Sequence, residues 1–392
     1  MPSLSSLVDR IGGRGASAWD IHTRAMLDRE NGEDVIVFSV GDPDFDTPSK
    51  IVDSAKRALD DGDTHYMDVR GKETLRRLIA EQHTEKTGQQ VTAQNIVIVP
   101  GAQCGLFCAS LCVAESGNEI ITTDPVYTTY EAAICATGAQ MVTVAQRVDE
   151  GFRTDYHDLK SAITAKTRGI FLANPNNPTG VVLSDDEMQH IVDLACEHDL
   201  WIVADEVYAD LVYEGEFKHF ASIPEAQDRV ISVSSFSKTF AMTGWRIGWI
   251  VAPEPVADHV ENLLLSMLYG MPGFVQEAAI TALSECKLDS LSMRDTYRNR
   301  RDLVLNALKE APLIKCQKPM SGMFLLVDIR ETALSSAEFV VRLYEATGVA
   351  VLDGGAFGST GEGFVRISFT NSEEDLLEGS RRIVQFVTET DF

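Results

Sequence analysis

Residues 230–251 read VISVSSFSKTFAMTGWRIGWIV. The apolar run 230–233 has strand length, and 246–251 reads as a second strand. Between them lie Ser234-Ser235-Phe236-Ser237-Lys238-Thr239 and then Gly244-Trp245-Arg246. In an open α/β sheet the carboxyl ends of the strands face the ligand crevice. A lysine just past such an end is partly desolvated, which lowers its pKa and exposes a nucleophilic amine. Hydroxyls on either side suit phosphate oxygens, and Arg246, eight residues after Lys238, can grip a dianion through two N–H groups. Alone, a lysine in a serine-rich loop is ordinarily solvated, so its neighbours decide.

Outward from this stretch the chain alternates strand and helix. Strands are expected at 96–99, 119–123, 140–144, 169–173 and 201–204. Helices are expected at 103–114, closed by Gly117, at 127–136, closed by Gly138, and at 184–198, opened by a capping box of Ser184 and Glu187. Apolar strands alternating with amphipathic helices argue for an α/β fold whose mostly parallel central sheet is covered on both faces. After Pro272 the rhythm changes to long helices reaching Glu310, a strand at 323–328, a helix, short strands near Val349 and Val365, and a last amphipathic helix. That is the pattern of a smaller α+β domain. The opening segment, with a helix at 19–30 and a strand at 35–38, is expected to fold onto it. The expected organisation is therefore an N-terminal segment (1–47) packing with the small domain, a large domain (48–280) and a small C-terminal domain (281–392).

Three more clusters sit at expected strand ends. Asp205-Glu206-Val207-Tyr208 follows the run from Trp201. A carboxylate there can pair with a protonated ring nitrogen, and the tyrosine hydroxyl can reach a ring oxygen, although a capping aspartate is the plainer alternative. Asn174-Pro175-Asn176-Asn177-Pro178-Thr179-Gly180 has two X-Pro steps and a glycine, a stiff turn able to hold an amide in one orientation. Pro100-Gly101-Ala102-Gln103 joins a strand to a helix N-terminus, where free N–H groups and the helix dipole attract phosphate.

Bulk properties narrow the function classes. The 392 residues are 44% hydrophobic and 24% charged, values typical of globular enzymes. With 34 Lys+Arg against 59 Asp+Glu the net charge is -25, which repels a nucleic-acid backbone. Seven cysteines form no zinc-type pairs; Cys104, Cys108 and Cys112 share a helical face and read as core thiols, so no metal site and a reducing compartment are expected. MPSLSSLVDRIGG is not a signal peptide, and no run of 18 apolar residues occurs, so a cytoplasmic protein without a membrane partner is expected.

The clusters in this order resemble the class I/II pyridoxal-phosphate-dependent aminotransferases, the aspartate aminotransferase fold known as fold type I. The likeness runs along the chain through SVGDPDFDTP, HYMDVRGKETLR, GAQ, NPNNPTG, DEVY, SSFSKTFAMTGWRIGW and GFVRISF. It implies pyridoxal 5'-phosphate as cofactor, bound to Lys238 as a Schiff base, with Lys238 also moving the substrate α-proton. It implies Asp205 at the pyridine nitrogen, Tyr208 and Asn177 at the ring oxygen, and Tyr127 stacked on the ring. Ser235, Ser237, Arg246, Ala102 and Gln103 would hold the phosphate. Tyr66 would reach the phosphate of the partner subunit, making a homodimer with shared active sites. Arg366, with Asn177 and the N–H of Gly41, would take the substrate α-carboxylate, and Gly41 would allow a close backbone approach. Trp19 would cover the substrate. The reaction implied carries an amino group from an amino acid to a 2-oxo acid in two half-reactions.

AWDIH, GDPDFDTP, HYMDVRGK, GAQC and ENLLLSMLYG are most similar to the arginine–pyruvate transaminase subgroup, which makes Asp20 a candidate for a basic substrate side chain as well as a helix-dipole partner. Lyases and decarboxylases on the same fold use the same lysine, and a non-catalytic pyridoxal-phosphate-binding module is the alternative of another class. Ser235-Phe236-Ser237-Lys238 also satisfies the S-x-x-K pattern of serine β-lactamases, but the S-D-N element of that class is missing.

Overall fold

The computed structural model describes residues 2–11, 19–390 and 392. Its thirteen strands are β1 (Ile36–Val37), β2 (Ile96–Val99), β3 (Glu119–Asp124), β4 (Gln140–Ala145), β5 (Thr167–Ala173), β6 (Trp201–Asp205), β7 (Val230–Ser235), β8 (Gly248–Val251), β9 (Lys315–Cys316), β10 (Phe324–Asp328), β11 (Val349–Ala350), β12 (Leu352–Asp353) and β13 (Phe364–Ser368). Seven of them form one sheet in the order β2-β8-β7-β6-β5-β3-β4. The pairs β7/β6, β6/β5, β5/β3 and β3/β4 are parallel, and only β8 runs against its neighbours. Near-continuous apolar strands need cover on both faces. Separate buried clusters on Val97, Val99, Phe171, Val203 and Ile231 and on Ile121, Ile170, Ile202 and Ala204 supply it, neighbouring residues of one strand pointing to opposite faces.

The helices lie close to expectation: Ala102–Val113, then Asp185–Glu197 with the Ser184/Glu187 capping box in place. Two expectations are corrected. The helix foreseen at 127–136 spans only Tyr130–Cys135, because Tyr127 has no regular structure and Thr128 and Thr129 form a turn before it. The strand foreseen from Arg246 begins at Gly248, because Arg246 has φ +52°, a left-handed backbone that no strand contains.

A four-stranded antiparallel sheet, β12-β13-β10-β9, forms the second body, and β1 pairs in parallel with β11 beside it. Ile36 and Phe38 share a core with Phe324, Phe339, Ile367 and Phe386, so the opening segment folds onto the C-terminal part. The helix Gly273–Glu285 packs instead on the helix Ser49–Asp60 beside the seven-stranded sheet. Among the described residues no helix is long and apolar enough to cross a membrane, and no cluster of His, Cys, Asp and Glu could hold a metal ion.

Candidate active site

The parallel register brings three of the sequence clusters to one edge. Ala173 pairs with Asp205, so β5 and β6 end level, and Asp205 pairs with Val233 of β7, which runs on to Ser235. Ala102, Gln103, Tyr127, Asn177, Asp205, Tyr208, Ser235, Ser237 and Arg246 all line a single cleft there, with about 560 Å³ of atom-free space.

One part of the cleft is built for an anion. The helix Ala102–Val113 opens onto it from Gly101, whose φ of +79° only glycine adopts easily. A Cβ on Gly101 would also stand 2.5 Å from Arg246 Nη2, so the guanidinium packs where a side chain is missing. Arg246 Nη1 donates to Thr243 O at 2.7 Å, which fixes the fork. The hydroxyls of buried Ser235 and Ser237 and the first N–H groups of the helix complete a donor set suited to phosphate.

Another part is acidic. Asp205 is buried; Oδ2 accepts from the Tyr130 hydroxyl at 2.8 Å and Oδ1 from the Val207 N–H at 3.2 Å. Burial pushes its pKa up to about 6, while those two bonds pull it down and the charge of Glu206 raises it. A cationic partner in the cleft would restore full ionisation. Burial likewise raises the phenol of Tyr208, whose ring meets Phe324 edge-on at 5.3 Å, and that of Tyr127.

Lys238 follows the end of β7 and donates from Nζ to Gly41 O at 2.6 Å. Desolvation, the largest influence, brings its pKa down to about 8; Asp42 opposes the fall, and the charges of Arg366 and Arg246 add to it. A substantial fraction of neutral amine at neutral pH is the property a nucleophilic lysine needs. Gly41 thus meets Lys238 through its carbonyl. Its backbone is not left-handed, and a Cβ would touch only Phe324 at 3.8 Å, so nothing in the protein itself demands glycine there.

Arg366, on β13, reaches the same region from the other body. Nη1 donates to Asn177 Oδ1 at 3.0 Å and Nη2 to Ser39 O at 2.9 Å, while the buried Nε has no partner. Phe357 and Phe324 lie 5.0 and 5.2 Å from the guanidinium. Among the described residues Arg366 is thus a buried cation with a donor left over and no carboxylate paired to it, an arrangement that suits a carboxylate ligand.

Five expected residues, Lys238, Gly41, Arg366, Tyr66 and Trp19, are not among those that line the cleft. Tyr66 is 83% exposed, its ring 4.9 Å from that of Tyr269. Trp19 packs with Leu352, Phe357 and Tyr127, close to Arg366 but outside the cleft wall. Asp20 is exposed in the first turn of the helix Asp20–Glu30, and Ala18 of AWDIH lies outside the described residues. Sequence reasoning passed over Tyr130, Ser39, Phe324 and Phe357. Of these only Tyr130 had a signal, its spacing of three from Tyr127 in DPVYTTY. The tripeptide Lys86-Thr87-Gly88 of the β-lactamase pattern does occur, but it ends a helix with Lys86 paired to Asp210. Residues 236–240 form a turn rather than a helix start, so that reading has no support in the fold.

The family model for aminotransferase class I and II matches residues 33–383. The chain belongs to this family. The arginine–pyruvate transaminase AruH of Pseudomonas aeruginosa is 45% identical over 97% of this chain and 96% of its own length. An aspartate aminotransferase of Pyrococcus horikoshii is 38% identical over 90% of each chain. Among solved structures, the aspartate aminotransferase of Thermus thermophilus with maleate superposes with a TM-score of 0.93 at 31% identity, covering 98% of this chain and all of its own. The fold is fold type I, and this aminotransferase depends on pyridoxal 5'-phosphate. The residues present fit that group: phosphate donors around Gly101 and the buried carboxylate of Asp205 line the cleft, and the Lys238 amine follows the end of β7 beside it.

Proposed function

We propose that this aminotransferase uses Lys238 as its cofactor-binding lysine and proton carrier, and that it moves amino groups from arginine to pyruvate. The observation that carries the first part is a lysine with lowered pKa at the end of β7, beside the strand that ends in the buried carboxylate of Asp205. Pyridoxal 5'-phosphate, when bound, supplies the electron sink that stabilises negative charge on the substrate α-carbon. Asp205 would hold the ring nitrogen protonated, with Tyr130 orienting that carboxylate and favouring its ionised form. Tyr208 and Asn177 would donate to the ring oxygen, Tyr127 would stack on the ring, and Ala102, Gln103, Ser235, Ser237 and Arg246 would hold the phosphate. The Lys238 amine would take the substrate α-proton and return it.

Arg366 binds the α-carboxylate through the N–H groups it still has free, with Asn177 fixing the plane of the fork and Gly41 and Trp19 closing over the substrate. Donor and acceptor both carry that carboxylate, so one clamp serves both half-reactions and the kinetics are ping-pong. The choice of arginine and pyruvate rests on the relative from Pseudomonas aeruginosa. A homodimer belongs to the same proposal, supported by exposed Tyr66 and Tyr269, as do the division at residues 47/48 and 280/281 and a cytoplasmic setting.

A panel of amino-acid donors against pyruvate and 2-oxoglutarate, with product chromatography, tests the function. Arginine with pyruvate should give the highest kcat/KM and yield alanine; ammonia or carbon dioxide in place of a new amino acid would contradict it.

A further inference from the structure

Asp124 ends β3 at the same sheet edge as the cleft, yet it is not among the cleft's lining residues. Its carboxylate is only 5% exposed and faces the turn at residues 358–360, which belongs to the body that carries Arg366. Oδ2 accepts from the Ser359 N–H at 3.0 Å and from the Ser359 hydroxyl at 2.8 Å; Oδ1 accepts from the Thr360 N–H at 3.1 Å. Two residues on, the Val126 N–H donates to Phe357 O at 2.7 Å. The turn is shaped for this contact: Gly358 has φ +127°, and a Cβ there would overlap the Asp124 carboxylate. A buried carboxylate satisfied wholly by N–H and O–H donors is a strong and directional anchor.

What the anchor holds is Phe357. Its ring lies 5.0 Å from the Arg366 guanidinium and packs with Leu352, Trp19 and Tyr127. Arg366 stands on the four-stranded sheet, whereas Asn177, whose Oδ1 accepts from its Nη1, lies in the turn that follows β5 of the seven-stranded one. The arginine is in register with the cleft only while the two bodies are docked, and the bonds of Asp124 and Val126 dock them next to it. We propose that Asp124 is a positioning residue for substrate recognition, locking the 357–360 turn so that Phe357 holds Arg366 at the distance the substrate α-carboxylate requires. The role rests on Arg366 being the carboxylate receptor.

Because amino acid and 2-oxo acid share that carboxylate, Asp124→Ala should raise KM for both substrates in parallel, by about tenfold. Lost charge-assisted bonds would show there, while kcat stays within about threefold and cofactor affinity is unchanged. A purely structural loss would instead lower thermal stability and cofactor affinity together. The experiment measures four quantities on the cofactor-loaded protein: KM for each substrate, kcat, the cofactor Kd, and the Kd of a simple aliphatic monocarboxylate as a probe that reads the clamp without chemistry. Asp124→Asn and Gly358→Ala provide milder routes to the same lesion should Asp124→Ala fold poorly. Arg366→Ala is the control for the underlying assignment. Matching losses of probe binding in the Asp124 and Gly358 variants, with cofactor Kd unchanged, support the role. Probe binding lost in Arg366→Ala but unchanged in the Asp124 and Gly358 variants overturns the role of Asp124 alone. Probe binding unchanged in Arg366→Ala overturns the assignment of the clamp and the role with it.

Discussion

At the scale of single residues the site works by moving proton affinities with burial. Asp205 and Lys238 are shifted towards each other, one up to about 6 and the other down to about 8, by the same loss of water. Tyr130 opposes the shift at Asp205, since its hydroxyl bond favours the ionised carboxylate. Tyr130→Phe should raise the Asp205 pKa further and lower kcat by about tenfold, with the acid limb of the pH–rate profile moving to higher pH; an unmoved limb would remove Tyr130 from the account. The lysine has a stability signature as well. In the cofactor-free protein the folded state resists protonating Lys238, so the unfolded chain binds more protons between about pH 8 and 10.5 and stability rises with pH across that window. Lys238→Met should therefore raise the melting temperature of the cofactor-free protein at pH 7, with the gain shrinking towards pH 10. The placement of Lys238, Asp205 and Asn177 at or just past strand ends on one side of the sheet was legible because each stands in a distinctive motif. Ser39, Phe324 and Phe357 were not, because they gather around Arg366 only after two distant segments fold together.

At the scale of elements, turns between strands and helices position the chemistry. Gly101 combines a left-handed backbone with contact to Arg246, so Gly101→Ala should weaken cofactor binding by more than about tenfold while leaving the folded core intact; equilibrium dialysis against pyridoxal 5'-phosphate reads it. The capping box at Ser184 is remote from the cleft, and Ser184→Ala should cost about 1 kcal/mol in denaturant unfolding without touching kcat. Strand and helix positions followed apolar periodicity closely for the seven-stranded sheet. The reversed direction of β8 did not, since alternation along one strand carries no information about which way its neighbour runs. Arg246 was placed in that strand because apolar periodicity does not reveal a single left-handed residue such as this one, at φ +52°.

For the whole molecule, the opening segment closes on the C-terminal body through β1 and β11, which sets Ser39 and Gly41 between the two sheets. The two bodies meet beside the cleft, where Arg366 donates to Asn177 of its wall, so the proposed recognition of substrate would depend on their docking. Tyr66 is exposed on this chain, and the proposed homodimer would have it complete the site of the second subunit. Mixing two impaired variants, Tyr66→Ala and Lys238→Ala, should regenerate activity, because one site of the mixed dimer then holds an intact lysine from one subunit and an intact tyrosine from the other; recovery no greater than the sum of the separate variants would refute shared sites.

The central claim is that Lys238 is the lysine to which the cofactor is joined. Hydride reduction of the cofactor-loaded protein, followed by proteolysis and peptide mass spectrometry, fixes that link in place and locates it. The account predicts the added pyridoxyl mass on Lys238 and its absence, together with loss of the visible absorption band, in a Lys238→Ala protein that still folds. The mass on any other lysine, or a band that survives in Lys238→Ala, would contradict it.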